Sequence, residues 1–154
     1  CIFMCIRKEN INKIFIASIF ILIISQVIHT IGAVLTMNYY TDEAYAQVWS
    51  KIMMPAMGPP PVSFYIISML SAFVFALIFV SVYDIFEASV PGKTWKKKGL
   101  YYGSIVFLLT AQSYVTMSYL INLPGMLLLE WAFEGLILSL LAGLVAARFI
   151  PSRE

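Results

Sequence analysis

Two carboxylates and a single histidine are the residues of this sequence whose types and spacing can do chemistry. Glu130 and Glu134 lie four residues apart in an otherwise apolar run, so on a helix both side chains share one face. His29, the only histidine of the chain, interrupts another apolar run. Ionisable groups at membrane depth are costly and usually face a protein interior, a cavity or a partner. These three residues therefore form the first candidate site.

Two glutamines extend this candidate site. His29, Gln112 and Glu134 each lie nine or ten residues from the end of their apolar run that faces the same side. At about 1.5 Å per residue of helix, all three are on the order of 14 Å deep. Glu130 lies one turn above Glu134, and Gln26 lies about one turn below His29. If the three helices adjoin, we expect these residues to form one intramembrane polar cluster.

The chemistry of such a cluster is constrained by charge. Two ionised carboxylates at this spacing repel each other, so at least one of Glu130 and Glu134 is expected to carry a proton unless a cation is present. His29 can supply that cation, or it can stay neutral and donate one N–H to a carboxylate. Gln112 can donate and accept at once, which suits a bridging position. The cluster predicts either a polar lock between helices or a site that responds to protons or cations.

Metal and cofactor sites are not favoured by the sequence. Bundle metal sites usually draw a second histidine or a Glu-x-x-His pair, whereas this chain has one histidine, and no cofactor is predicted. The chain has no phosphate-binding glycine loop and no nucleophile elbow. Cys1 and Cys5 form neither a zinc motif nor a disulfide framework. The start at Cys1, followed by apolar residues, favours an incomplete start over a lipid anchor.

Composition indicates the class of protein that holds these groups. Of 154 residues, 61% are hydrophobic and 12% are charged, and the mean hydropathy is +0.88. Soluble domains typically have about 45–50% apolar and about 25% charged residues. The excess predicts an integral membrane protein. The net charge of +2, without a basic stripe, predicts no nucleic-acid partner.

The apolar runs predict the architecture. Each is long enough for the roughly 20 residues that a spanning helix needs. We therefore expect an all-α integral membrane protein with a single domain over 1–154. Its four transmembrane helices form a bundle and cover residues 11–37, 62–84, 99–122 and 126–149.

The distribution of lysine and arginine predicts the orientation. Cytoplasmic loops carry an excess of these residues, and only Lys51 falls on the opposite side from the others. We expect both termini in the cytoplasm and the protein in the cell (plasma or inner) membrane. The lysines between the second and third helices are expected to bind anionic lipid head groups; they are Lys93, Lys96, Lys97 and Lys98.

The loop after the first helix carries a helical pattern of its own. Asp42 follows a threonine and precedes a glutamate, which is typical of a helix start. Tyr45, Val48, Trp49 and Ile52 then recur at helical spacing before a proline. The pattern predicts a short amphipathic surface helix over residues 42–54. The alternative is a continuation of the first helix followed by a proline-rich turn.

Small residues recur every four positions on two helices. Such stripes allow another helix backbone to approach closely. We expect them to pack the bundle internally, with a homo-oligomer interface as the alternative. The stripes are Gly135, Ser139, Gly143 and Ala147 on the last helix and Ser68, Ala72 and Ala76 on the second.

Three functional hypotheses are compatible with these patterns. The first is a non-catalytic bundle that serves as an accessory subunit of a membrane complex or associates with itself. The second is a small proton- or cation-coupled transporter that uses Glu130, Glu134 and His29. The third is a membrane enzyme subunit that binds a cofactor or a metal, although an enzyme is the less favoured class.

Overall fold

The computed structural model describes residues 6–55 and 58–152. Within these ranges the chain is helical and contains no β-strand. Both cysteines and Arg153 lie outside the described residues. Short 3-10 turns occur at Lys8–Asn10, Glu43–Tyr45 and Glu87–Ser89. The α-helices are α1 (Ile11–Leu35), α2 (Met37–Thr41), α3 (Val62–Phe86), α4 (Trp95–Leu120) and α5 (Gly125–Phe149).

Three of the four long helices are long and apolar enough to cross a membrane. The segments are Lys8–Leu35 and Val62–Ser89, each with a mean hydropathy of 2.4, and Gly125–Phe149 with 1.8. The helix α4 has a similar length but is not among the three, because lysines, glutamine and hydroxyl residues interrupt its apolar positions. The helical class predicted from the sequence is confirmed, and the apolar helices indicate a membrane location.

Prolines and polar caps set the helix boundaries. Pro61 directly precedes α3 and Pro124 directly precedes α5, where a missing backbone N–H costs nothing. Thr94 caps α4, since its hydroxyl accepts a hydrogen bond from the Lys97 N–H at 3.3 Å. This cap starts α4 at Trp95, four residues earlier than the apolar run predicts.

The four long helices alternate in direction and pack in the order α4, α5, α1, α3. The helix α5 makes its most extensive contact with α4, and α1 lies between α5 and α3. We call the end of the assembly that holds Arg7 and Pro151 the terminal end, and the opposite end, which holds Tyr40 and Trp131, the loop end. Neighbouring helices are antiparallel, and of the three neighbouring pairs only α4 and α5 are joined by a short connection.

The continuous apolar core occupies the half of the assembly nearer the terminal end. Its members come from the first halves of α1 and α4, from the second halves of α3 and α5, and from Val90 and Ile150 just beyond α3 and α5. Tyr102 of α4 closes this core, because its hydroxyl donates to the Phe79 carbonyl of α3 at 2.8 Å and its ring packs on Tyr83. The buried core residues are Ile14, Ala17, Ile21, Ala76, Val80, Tyr83, Val90, Tyr102, Ala142, Ala146, Ala147 and Ile150.

A buried carboxylate joins three segments at the terminal end. Asp84 of α3 has no exposed surface and accepts hydrogen bonds from the Arg7 backbone N–H at 3.0 Å and from Arg7 Nε at 2.8 Å. Asn10 donates to the same carboxylate at 2.6 Å. The Arg7 guanidinium also donates to the Pro151 carbonyl at 3.1 Å. The segment before α1, the end of α3 and the segment after α5 are thereby tied together.

The predicted surface helix over 42–54 is not formed. The chain leaves α2 at Asp42, which is extended and caps a single 3-10 turn by accepting from the Ala44 N–H at 2.9 Å. Residues 46–54 then form turns. The physical reason is tertiary: the Trp49 ring packs 4.8 Å from Tyr40 and 6.4 Å from Trp131, measured between ring centroids. These contacts replace the continuous helix that the spacing predicts.

Candidate functional site

The centre of the candidate site is an ion pair between two helices. His29 of α1 directs its Nδ1 at Oε1 of Glu134 on α5, within hydrogen-bonding reach. The Glu134 side chain is only 10% exposed, whereas the His29 side chain is 56% exposed. Glu134 is therefore enclosed between helices, while the imidazole has one side against the carboxylate and one side open.

A glycine of α1 makes room for both carboxylates. A Cβ atom built on Gly32 would lie 2.5 Å from Glu130 Oε1 and 2.9 Å from Glu134 Oε2. Gly32 is about one turn beyond His29, so the notch and the imidazole lie on the same face of α1. The two glutamates, four residues apart on α5, reach the same notch. The structure thus brings Glu130, Glu134 and His29 together against one stretch of α1.

Aromatic residues cover the cluster at the loop end. Trp131, which directly follows Glu130, donates its indole N–H to the Tyr40 hydroxyl at 3.0 Å. Trp49 packs on both rings. Burial raises the pKa of Tyr40 above its ordinary value, so the phenol stays neutral and can accept this hydrogen bond. The loop 42–55 is thus attached through Trp49 to the rings of α2 and α5 next to Glu130.

The helix α4 contributes a tyrosine to the site instead of the predicted glutamine. The Tyr114 hydroxyl lies directly against the α-carbon of Gly135, where a Cβ atom would overlap it, and it is close enough to Glu134 to interact with its charge. Gln112 is two positions away on the helix and is exposed. Gln112 forms no hydrogen bond with the cluster among the residues that the structure describes.

Gln26 also stands apart from the carboxylates. Its backbone carbonyl accepts from the Thr30 hydroxyl at 2.7 Å, and its side chain is half-buried.

Two residues of the site, Gly32 and Tyr114, are not predicted from the sequence. The signal for Gly32 was present, since it lies one turn from His29 on the same apolar helix, whereas the inward direction of Tyr114 depends on the rotation of α4.

A cavity adjoins the open side of His29. Its volume is about 250 Å³, and all four long helices line it. Three hydroxyl residues and the imidazole supply its polar groups, and Phe75 and Phe79 of α3 supply aromatic wall. The polar lining residues are Ser25, His29, Thr110 and Ser139, and the remaining apolar ones are Ile21, Ala72, Ala76, Val106, Leu138 and Ala142.

The small residues of α5 face α4. Cβ atoms built on Gly99 and Gly103 of α4 would meet the backbone of Gly143 and Ser139 within 3 Å. The two backbones are therefore in direct contact over one helical turn. The spacing of Gly99 and Gly103 is itself a small-xxx-small motif, which completes the stripe of α5 from the opposite side.

The remaining residues of the two predicted stripes occupy different surroundings. Ala147 is buried in the apolar core, Gly135 faces Tyr114, and Ser68 is half-buried on α3. Ala76 is buried and Ala72 is half-buried, and both line the cavity.

The four lysines near the start of α4 have different surroundings. Lys98 pairs with the fully buried Glu87 of the 3-10 turn that follows α3 and also donates to its carbonyl at 3.3 Å. Lys93, Lys96 and Lys97 are exposed. Lys96 also lies 5.6 Å from the centroid of the Trp95 ring. Lys98 is therefore part of the tie between α3 and α4, and the other three remain accessible.

The chemistry that this site offers is proton exchange and hydrogen bonding. Across residues 6–55 and 58–152, no three histidine, cysteine or acidic side chains are arranged to hold a metal ion. The cluster combines two acids, one base and two phenols next to a cavity, which are groups that hold and release protons. Comparison of the chain with protein-family models, with curated proteins and with solved structures gives no match.

Proposed function

We propose that this protein crosses the membrane four times and acts as a small proton-linked carrier. Its coupling site consists of His29, Glu134 and Glu130, which together bind a proton reversibly. The observation that carries the proposal is the direct pairing of His29 with Glu134 while Glu130 shares the notch at Gly32. Ionisable residues at membrane depth are retained mainly where they move or sense ions.

The helix α4 serves as the fourth span in this proposal. The helix α4 is antiparallel to α5 along its length. Because the two backbones are in contact at Gly103 and Gly143, α5 covers the face of α4 that carries the glycines. Its lysines then lie at the terminal end, together with Arg7 and Arg148. This distribution supports a cytoplasmic location of the terminal end.

The charge balance of the cluster supports proton binding. Two carboxylates share one imidazole, so the cluster keeps one negative charge even when His29 is protonated. An uncompensated charge is expensive in a low-dielectric setting. A proton shared between Glu130 and Glu134 removes this charge, and its release restores it. The number of protons in the cluster can therefore change by one without a change in the fold.

Infrared spectroscopy of the reconstituted full chain tests this proposal. A protonated carboxyl group has a C=O stretching band that a carboxylate lacks, and we expect such a band to titrate reversibly. Glu134→Gln and Glu130→Gln should each remove or shift it. Glu43→Gln, the same change at an exposed loop position, should leave it unaltered. An identical titrating band in all three variants, or its absence from the folded wild-type protein, overturns the proposal.

Accessibility labelling tests the orientation. In a chain with both native cysteines replaced by serine, Gln47→Cys and Asn122→Cys should react with a membrane-impermeant thiol reagent added outside intact cells. Lys96→Cys should react only after permeabilisation. All three positions are exposed in the structure. Labelling of Lys96→Cys from outside, or protection of Asn122→Cys, contradicts four spans with cytoplasmic termini.

Self-association through α4 is a second candidate function. The exposed face of α4 carries Gln112 and Ser113 in the middle of the helix, and polar side chains such as these form hydrogen bonds across membrane helices. An amide both donates and accepts, so two copies of Gln112 can pair with each other. This face therefore suits a bundle that acts as a subunit.

The oligomeric state in mild detergent tests this candidate. We expect a dimer that Gln112→Leu converts to a monomer, while Gln47→Leu, the same change in the exposed loop, leaves it unchanged. A monomeric wild-type protein, or a dimer that Gln112→Leu does not alter, overturns self-association through this face.

A further inference from the structure

The cavity between the four helices contains more polar chemistry than helix packing requires. Ser25, Thr110 and Ser139 reach it from three different helices. The Thr110 hydroxyl is already engaged with carbonyls of its own helix, at 3.0 and 3.1 Å. The remaining lining is apolar, with the Phe75 and Phe79 rings on the α3 side. Because Phe75 is 71% exposed, the cavity has an open side and forms a groove between the helices. Mostly apolar concave sites with a few convergent polar groups commonly bind small molecules.

His29 connects this cavity with the carboxylates. Its Nδ1 faces Glu134, and the same ring lines the cavity. The other ring nitrogen, Nε2, has no protein partner in the described part of the chain. An imidazole held in this way by a carboxylate can accept or donate a proton through Nε2. A molecule in the cavity is therefore within reach of a group that exchanges protons.

The charges around His29 favour a cationic occupant. The nearby ionisable groups are two acids and two phenols, and α3 contributes alanine and phenylalanine side chains to this region. Phenylalanine rings attract a cation above their faces. When His29 is neutral, the negative charge of the two glutamates is uncompensated. A positively charged group in the cavity compensates this charge. The titratable groups that surround His29 are Glu130 and Glu134 of α5, Tyr40 of α2 and Tyr114 of α4.

We infer that the cavity binds a small primary amine with an apolar body, and that its ammonium group competes with the proton of His29. The inference rests on the proposed proton site and names the class of its substrate. When the ammonium ion enters, the Nε2–H bond of the imidazolium breaks and the proton is released to the bulk solvent. The ammonium group keeps its own protons, so the charge of the site is unchanged by the exchange.

The size of the cavity limits the amine. About 250 Å³ is below the roughly 300–1,000 Å³ of pockets that enclose drug-sized ligands. One aromatic ring with an aminomethyl group matches this volume and the aromatic wall. Benzylamine is therefore a suitable probe, and toluene is its uncharged analogue of similar shape.

Equilibrium dialysis of the detergent-purified full chain against radiolabelled benzylamine measures the binding. We expect benzylamine to bind at least about tenfold more tightly than toluene, and to bind more tightly at about pH 8 than at about pH 6, because protons compete less. His29→Gln should abolish this pH dependence. Equal binding of toluene, or wild-type benzylamine binding that does not change with pH, overturns the inference.

Two variants that fill the cavity provide a matched test. Ala72→Phe places a ring in the cavity from α3, and Val74→Phe places the same ring on the exposed face of α3, where Val74 is 52% exposed. We expect Ala72→Phe to weaken benzylamine binding at least about tenfold and Val74→Phe to leave it unchanged. Thr110→Phe fills the cavity from α4 and serves if Ala72→Phe does not fold. Unaltered binding in a folded cavity-filling variant contradicts this site.

The infrared experiment separates this inference from the proposed function. If the carboxyl band titrates without any amine but benzylamine does not bind, the proton site stands and the amine inference fails. If benzylamine binds in the cavity with the expected pH dependence but no carboxyl band depends on Glu130 or Glu134, the proposed proton sharing between the carboxylates fails, whereas the amine inference stands because the competing proton is that of His29.

Discussion

Arg7 and Asp84, separated by 77 residues in sequence, are joined by three contacts at the terminal end. The Arg7 backbone N–H and Nε both donate to the Asp84 carboxylate, and a guanidinium nitrogen lies 2.7 Å from it. The carboxylate is fully buried and the arginine side chain is 20% exposed. Loss of one partner from a buried pair leaves the other charge uncompensated.

We expect Asp84→Asn to lower the free energy of unfolding by about 3–5 kcal/mol, because the Arg7 guanidinium loses its counter-ion in a buried position. Thermal or denaturant unfolding in detergent measures the change. Glu9→Gln, which replaces an exposed carboxylate near the same end, should alter stability by less than about 0.5 kcal/mol. Equal losses in the two variants contradict a stabilising role for the pair.

We expect Gly32→Ala to disturb the carboxylate notch directly. The added methyl group would overlap Glu130 Oε1 and Glu134 Oε2, so at least one carboxylate must move, at a cost of about 1–3 kcal/mol in stability. The titration of the carboxyl band should shift at the same time. Gly125→Ala is the control, because a Cβ atom there meets nothing within 4 Å. An unchanged titration in Gly32→Ala conflicts with the observed geometry.

We expect Gly143→Ala to separate α4 from α5. The new methyl group would meet the Gly99 carbonyl and lie 2.9 Å from the Gly103 nitrogen, and backbone atoms cannot move aside as a flexible side chain can. The expected loss of stability is about 1–3 kcal/mol. Thermal or denaturant unfolding in detergent measures the loss, and Gly125→Ala is the control, because a Cβ atom there meets nothing within 4 Å. Full stability in Gly143→Ala rules out close backbone contact.

The contact between Tyr40 and Trp131 predicts a dependence on alkaline pH. Burial raises the pKa of Tyr40 above its ordinary value of 10.0, so the unfolded chain loses this proton before the folded chain does. The stabilisation from Tyr40 is complete below pH 10 and is lost as the pH rises through the folded-state pKa. Unfolding measured as a function of pH should therefore show a smaller alkaline loss of stability in Tyr40→Phe.

Tyr39→Phe is the matched control for this experiment. Tyr39 is the adjacent half-buried tyrosine, and its described hydrogen bond is made by the backbone N–H, which the substitution retains. It should keep the wild-type alkaline loss, and Trp131 fluorescence should change in Tyr40→Phe alone. The same alkaline profile in both variants argues against the predicted linkage.

The helices themselves could be predicted from the sequence, because their apolar runs and flanking prolines act locally. The three apolar helices begin within one residue of the apolar runs; α3 ends two residues beyond its predicted range, at Phe86, and α1 ends two residues short of its range, at Leu35. There the Thr36 hydroxyl donates to the Gly32 carbonyl at 2.7 Å, and the chain breaks before α2. The predicted surface helix over residues 42–54 is wrong because Trp49 packs on residues that are distant in sequence. Helical spacing contains no information about such partners.

For the candidate site, the sequence predicts how far along its helix each side chain lies, but not which way the side chain points. Counting residues along a helix gives height, and it placed His29 level with Glu134, which the structure shows in contact. The same count placed Gln112 at that level, yet the side chain is exposed and Tyr114 faces the site instead. A shift of two residues rotates the direction of a side chain by roughly 200° on an α-helix. Which face turns inward depends on the glycine contacts between α4 and α5.

The concentration of ion pairs and apolar core at the terminal end determines how the assembly can deform. Asp84 and Glu87 fix the helices near Arg7 and Lys98, whereas the cavity lies at about the middle of the four long helices, between that end and the loop end. A change in cavity width then requires the loop-end halves of α3 and α4 to tilt about a fixed base, with amplitude increasing with distance from it. Amide hydrogen exchange should accordingly be slowest near Val80 and Ala146 and accelerate along each helix toward Tyr65 and Tyr119.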